Sequence, residues 1–310
     1  METRPFYHTT VLLQEATEAL HIQPNGVYVD ATFGGGGHSR LILEQLHPEG
    51  KLIAFDHDAD AWENAPEDSR LIRVTENFRY LKRFLRYHGY PQVNGILADL
   101  GVSSWQFDTG ARGFSTRFDG PLDMRMDQRM EKTAATVIAK STERDLQQLF
   151  ETYGEVRNAK ELARHLVSIR QKSPITTVQD LRAAITPIVK GRPDKYFAQL
   201  FQALRIEVNE ELGALEDFLK QTPDCLLAGG RLSVISFHSL EDRLVKRFMR
   251  NGDFTDGMDS GPQIFGPQEK VQPPLHPLSN KPTEPTEAEQ RANPRSRSAR
   301  LRVAEKRDLS

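Results

Sequence analysis

Apolar residues recur at helical spacing from Thr10 to Leu20, and the chain then changes to a compact apolar run, Val27-Tyr28-Val29, closed by Asp30. That change of period predicts a helix followed by a strand. Next come the turn Ala31-Thr32-Phe33-Gly34-Gly35-Gly36-Gly37-His38 and helical spacing over Ser39 to Leu46, stopped by Pro48 and Gly50. A second apolar run, Lys51 to Phe55, ends on Asp56. Strand, glycine-rich turn, helix and strand make one βαβ unit of a parallel sheet. A helix near Ala59 to Ala65, a strand at Leu71 to Val74, a basic helix from Tyr80 to His88 and a strand from Ile96 to Leu100 extend it.

The middle of the chain reads differently. Residues 132 to 205 keep helical periodicity with no convincing strand. Thr142 and Thr177 each precede an acid by three residues, Asp145 and Asp180, the spacing of a capping box. The α/β pattern returns as a helix from Asn209 to Lys220, a strand from Leu232 to Phe237 and a helix from Leu240 to Arg250. Ser239 is the expected N-cap of that last helix, with Asp242 at its third position. Residues 251 to 294 hold eight prolines and read as a long loop or a disordered excursion, after which Ser298 to Val303 alternates like an edge strand. The division expected is a first core part at 1–110, a loop and helical insertion at 111–205, and a second core part at 206–310.

Composition adds limits. The chain has 310 residues, 38% hydrophobic and 27% charged, enough for a sizeable core. No apolar run reaches membrane-span length and the start lacks a signal-peptide layout, so a cytoplasmic location is expected. The single cysteine, Cys225, excludes an internal disulfide and a multi-cysteine metal site, and no metal is expected. Net charge is −2, so any attraction for nucleic acid must be local. Residues 77 to 98 contain no acid while Arg79, Lys82, Arg83 and Arg86 fall at helical spacing, and residues 291 to 307 hold seven Lys or Arg against Glu305 alone. Such runs are often only solvated faces.

The candidate chemistry clusters at strand ends. Gly34, Gly36 and Gly37 follow a strand where a Cβ would keep backbone from a ligand, and the helix after them offers free N–H groups. Asp56 lies twenty residues beyond Gly36, placed to accept the hydroxyl protons of a ribose. Asp30 and Asp99 add acids at strand tips, which suits S-adenosylmethionine, with its sulfonium and ammonium, better than a pyrophosphate nucleotide. Phe78 stands where a ring can pack on adenine. After Asp99 comes a segment without regular period, in which Arg112, Phe114 and Arg125 interleave arginine with aromatic residues, as an unstacked nucleotide requires. Ser236 and His238 follow another strand on the same edge.

The runs His8 to Leu13, Thr32 to Arg40, Asp99 to Ser104, Arg112 to Ser115, Gly120 to Asp127, Ser236 to Arg243 and Asn293 to Ser298 together closely resemble the RsmH family, also called MraW. The resemblance implies a Rossmann-like α/β methyltransferase core with an inserted helical domain. It implies methylation of the N4 amine of a cytidine in the decoding region of small-subunit (16S) ribosomal RNA by S-adenosylmethionine, and cofactor contacts at Gly36, Gly37, His38, Asp56, Phe78, Asp99 and Gln106. One residue departs from the pattern: Trp105 stands where a proline is expected before Gln106, so that turn loses a fixed φ. Asp123 and His238 are the candidates to receive the amine, and Arg112, Phe114, Arg125 and Ser236 the candidates to hold substrate. The expected partner is small-subunit ribosomal RNA in an assembled or nearly assembled subunit, with no membrane and with a homodimer compatible. A nicotinamide oxidoreductase, a non-catalytic assembly factor of the same fold and a DNA methyltransferase are the alternatives left standing.

Overall fold

The computed structural model describes residues 10–255 and 272–308. His8, with which one family motif begins, and residues 256–271 of the expected loop lie outside them. The chain divides into two compact units, one formed by Met1–Gly101 with Ala214–Ser310 and the other by Val102–Gly213.

The first unit is built on a seven-stranded sheet of order β3-β2-β1-β4-β5-β7-β6. Its strands are β1 (Val27–Asp30), β2 (Lys51–Phe55), β3 (Leu71–Val74), β4 (Val93–Asp99), β5 (Leu226–Ser236), β6 (Leu275–Pro277) and β7 (Arg300–Lys306). β1 to β5 are parallel, and β7 runs antiparallel to β5 with β6 on its far side. Central parallel strands are covered on both faces, which is why Tyr28, Val29, Ile53, Ile96 and Leu97 are fully buried without alternation. One face packs against α1 (Leu13–Glu18) and α2 (Gly37–Gln45), through Ala16, Ile42 and Leu43. The other packs against α3 (Leu81–Tyr87) and two later helices of this unit, through Leu81, Leu85, Phe218 and Val245.

The second unit is helical. It holds α4 (Ser104–Asp108), α5 (Ala134–Lys140), α6 (Glu143–Thr152), α7 (Ala159–Arg170), α8 (Val178–Ile185) and α9 (Pro193–Asn209). Leu146, Phe150, Leu162, Leu181, Leu200 and Leu204 fill its own core. The capping boxes expected at Thr142–Asp145 and Thr177–Asp180 both form. α10 (Glu211–Cys225) opens at the unit boundary and leads back to β5; α11 (Ser239–Asn251) and α12 (Glu287–Ala292) follow.

Four expectations need correction. The alternating C-terminal segment is not an edge strand: Leu275–Pro277, inside the proline-rich stretch, pairs with β7 and takes the edge. β5 begins at Leu226 rather than Leu232, because Gly229, at φ 74°, lets the strand bulge between its pairings at Leu226 and Arg231. The segment after Asp99 contains the short helix α4 and a 3₁₀ turn at Gly110–Arg112. The N-cap of α11 is His238, whose third-position partner is Glu241, not Ser239 with Asp242.

Candidate active site

In the sheet unit, the loop after β1 is tied to the tips of the strands on either side. Gly34 N–H donates to Asp56 Oδ2 at 2.8 Å, and the Asp99 N–H donates to Thr32 Oγ1 at 2.6 Å. Asp30 sits beneath the loop, accepting from Ser39 Oγ at 2.6 Å and from Thr32 N–H at 3.1 Å. Asp56 Oδ1 accepts from Asp58 N–H at 2.9 Å, and each Asp56 oxygen keeps a second lone pair.

The glycines are required at two positions. Gly36 has φ 74°, and a Cβ there would lie 2.7 Å from Phe33 Cζ. Phe33 cannot easily move, because it stacks on Trp62 with centroids 4.7 Å apart. Gly37 opens α2, and a Cβ on it would lie 1.9 Å from Thr10 Oγ1. The N-cap residue of α2, Gly36, has no side chain to cap the helix.

The electrostatics of this edge are one-sided. Burial pushes the Asp30 carboxyl up to about 6. Burial pushes Asp56 up to about 7, helped by the charges of Asp58 and Asp30. Asp99 is raised well above the carboxylate range by burial, then by Asp30 and Glu241. Asp99 Oδ1 is buried with no hydrogen-bond partner, while Oδ2 lies 3.8 Å from His38 Nδ1, too far for a hydrogen bond. A group of acids so short of positive charge is complementary to a cationic ligand. Phe78 packs edge-on against Phe218 at 5.2 Å, in the turn after β3.

The turn after β5 is locked. Glu241 Oε2 accepts from the Phe237 N–H at 2.8 Å. His238 Nδ1 accepts from the Glu241 N–H at 3.4 Å, and its Nε2 lies 3.1 Å from Glu241 Oε1 without hydrogen-bond geometry. Ser236 is buried within β5, its hydroxyl donating to Arg300 O at 3.4 Å.

A family model described as the MraW methylase family matches residues 5–307. The chain belongs to the MraW methylase family. It is 50% identical over 296 residues to the ribosomal RNA small subunit methyltransferase H of Flavobacterium psychrophilum, covering 95% of this chain and 100% of that one. It is likewise 50% identical over 303 residues to the protein of that name from Cytophaga hutchinsonii, covering 97% and 99%. Among solved structures, an rRNA methylase from Streptococcus thermophilus covers 99% of both chains at 11% identity and a TM-score of 0.39.

The remaining expected site residues lie in the helical unit. Gln106 is buried in a capping box: its Oε1 accepts from the Ser103 N–H at 3.1 Å, and its own N–H donates to Ser103 Oγ at 3.2 Å. The turn therefore forms with Trp105 in place of a proline, its φ held by side-chain hydrogen bonds rather than a ring. Trp105 itself is exposed.

Arg112 and Phe114 are both buried. The Arg112 guanidinium donates to the carbonyls of Arg125 and Met126, both at 3.0 Å, and Phe114 belongs to the helical core. Arg125 grips Asp123 through Nε and Nη2, each at 2.8 Å. Burial raises the Asp123 carboxyl, but the hydrogen bonds and charge of Arg125, with Arg112, outweigh it and hold the group below its ordinary range. Asp123 is thus a fixed anion and a poor proton acceptor.

Sequence reasoning missed Thr32, Ser39 and Glu241. The His238…Glu241 spacing was a legible capping signal. The Thr32 and Ser39 contacts had no local signal, because they depend on which strands lie side by side.

Proposed function

We propose that the protein transfers the methyl group of S-adenosylmethionine to the N4 amine of a cytidine in the decoding region of small-subunit ribosomal RNA. The observation that carries the reading is the Asp99 carboxylate, with an orphaned buried oxygen, in an acid group lacking counter-charge beside a glycine loop. A dinucleotide would bring a pyrophosphate to that edge; S-adenosylmethionine brings a sulfonium and an ammonium. Membership of a methylase family and relatives named for small-subunit ribosomal RNA support the substrate.

The residues fit such a ligand. Gly36 and Gly37 let the loop close on Phe33 and Thr10 as a residue with a Cβ could not, and they set the positive end of α2 at the loop. Asp56 is assigned the ribose hydroxyls and Phe78 an edge of the adenine. Asp99 and His38 take the methionine end, and Gln106 fixes the turn that follows the Asp99 motif. When bound, the sulfonium supplies an activated methyl for in-line displacement. The protein's main contribution is position, worth roughly 7–11 kcal/mol in well-oriented cases.

Cytosine N4 is a weak nucleophile because its lone pair feeds the ring. A fixed acceptor on one N4 hydrogen localises that pair. Asp123, held ionised by Arg125, is assigned this hydrogen bond, while the proton that N4 releases as the new N–C bond forms and the S–C bond breaks passes to water; Arg125 reaches substrate only through Asp123. His238 is assigned to holding the turn after β5. The substrate base must leave its stack to be methylated.

The test is transfer of labelled methyl to small subunits lacking the modification, against naked RNA and DNA, with product nucleosides identified by mass spectrometry. N4-methylcytidine formed on the subunit is the expected result. Cofactor binding with no transfer to any acceptor would overturn the enzyme reading in favour of an assembly factor.

A further inference from the structure

Two basic segments stand out in the sequence, and the structure treats them differently. At the C-terminal end, Arg300 and Arg302 are spent on Asp242, Arg291 on Glu287, and Lys306 on the Leu226 carbonyl. At α3 and the 3₁₀ turn before it, Phe78–Tyr80, the division is sharper. Arg79 pairs with Asp217 and Lys82 with Asp224, both on α10. Gln221 adds a clamp: its Oε1 accepts from Lys82 N–H at 3.0 Å and its amide donates to Arg79 O at 2.8 Å. Leu81 and Leu85 point into the core. α3 is thereby fixed in orientation and presents its remaining side outward.

That side carries Arg83, Arg86 and Tyr87, with Tyr80 a turn earlier. Tyr87 is 79% exposed and Tyr80 44%, two of the few large apolar residues exposed among the described residues. Arg83 lies over the Phe84 ring at 5.7 Å, and Arg86 has no ion-pair partner among the described residues. No acid occurs between residues 77 and 98 to neutralise the face. α11 also turns Arg243, Lys246 and Arg250 outward, but among the described residues this helix exposes no aromatic side chain.

Exposed rings interleaved with arginines suit one class of partner. Bases with free π-faces stack on the tyrosines, and phosphates take the guanidinium groups. An acidic protein surface would use the arginines but leave the rings in water. Double-stranded RNA offers no free base faces.

We propose that the outward side of α3 and of the turn before it, formed by Tyr80, Arg83, Arg86 and Tyr87, is a docking surface for a single-stranded segment of the substrate RNA outside the methylated nucleotide. The inference rests on the RNA-methylating reading and assigns that substrate a second contact.

The probe is a labelled single-stranded oligoribonucleotide of about twelve nucleotides, titrated into the full chain and followed by anisotropy. Tyr87→Ala and Arg86→Ala should each weaken binding about ten-fold, and Tyr87→Phe should preserve it. Arg86→Ala should also reduce the slope of log affinity against log salt by about 0.7. S-adenosylmethionine affinity and melting temperature should not change, because these side chains pack on nothing the fold needs. Wild-type affinity in both variants would overturn the proposal. So would equal losses with a duplex probe, or a change in sedimentation at unchanged RNA affinity, which would make the face a self-association surface. Methyl transfer to small subunits is measured in parallel. Transfer by the wild type with unaffected oligonucleotide binding in the variants refutes only the surface, whereas oligonucleotide binding without transfer by the wild type refutes the activity.

Discussion

Thr32 Oγ1 accepts the backbone N–H of Asp99 at 2.6 Å, so the glycine loop after β1 is hydrogen-bonded directly to the tip of β4. The bond fixes the spacing between the bare backbone of the loop and the carboxylate with the orphaned oxygen. Thr32→Val keeps the shape and removes the acceptor. The expected cost is about 1–2 kcal/mol of stability for the stranded N–H. Calorimetry should show a larger proportional loss of S-adenosylmethionine affinity than of thermal stability. Equal affinity in the variant would show that this spacing is not limiting.

Cofactor binding should be linked to protons. Asp30 and Asp56 titrate at about 6 and about 7 in the folded chain, against an ordinary 3.8. Both are raised, so between pH 4 and 7 the native state holds more protons than the unfolded one, and this contribution to stability falls as pH rises through that window. A cationic ligand favours the ionised acids. Affinity for S-adenosylmethionine should therefore rise with pH up to about 7, with proton release visible as buffer-dependent binding heat. Asp30→Asn should flatten the profile. Binding heats independent of buffer across this range would contradict the arrangement.

Asp242 anchors the last strand. It accepts from Arg302 Nε at 2.6 Å and from Arg300 Nη1 at 3.1 Å, with Arg302 almost wholly buried. Burial raises its carboxyl, but the two arginines pull it below the ordinary range, so the pair's contribution is present above pH 4 or so and is lost as pH falls through the folded value. Asp242→Ala leaves a buried guanidinium unpaired and should cost about 3 kcal/mol in a denaturant titration. A loss under about 0.5 kcal/mol would mean that β7 is held by its ladder alone.

Asn209 braces the Gly120–Asp127 segment. Its amide accepts from Met126 N–H and donates to Met124 O, both at 2.8 Å, where Met124 adopts φ 63°. Asn209→Ala should destabilise the helical unit by about 2–3 kcal/mol and speed proteolysis near residue 124. Unchanged cleavage would show the segment to be held by Arg112 and Asp123 instead.

The two amine-side residues should separate in kinetics. Asp123→Asn should lower kcat roughly 100-fold with cofactor affinity intact. His238→Asn keeps a capping side chain and should retain turnover within about three-fold. The opposite pattern would move the acceptor to His238.

Much of this protein was legible along the chain. β1, β2 and β3 have the limits that their apolar runs imply, since a parallel strand buried on both faces is a local composition signal. The glycine turn, the acids at strand tips and the family motifs are also local. Burial of Arg112 and Phe114 was not, because an arginine–aromatic pattern reads the same in a nucleotide surface and in a braced loop. Likewise, Arg79 and Arg83 are alike in sequence, but only Arg79 meets a carboxylate of α10.

Period and composition by themselves determined the class of fold, the order of its core elements and the acids bordering the glycine loop. Those depend on interactions within a few residues. Tertiary structure alone decided which cations stay exposed, which acid keeps an unpartnered oxygen, and that Leu275–Pro277 rather than β7 forms the sheet edge. Each of these depends on partners far away in the chain, such as Thr32 for Asp99 and Asp217 for Arg79, and burial and charge balance are set only when those partners meet.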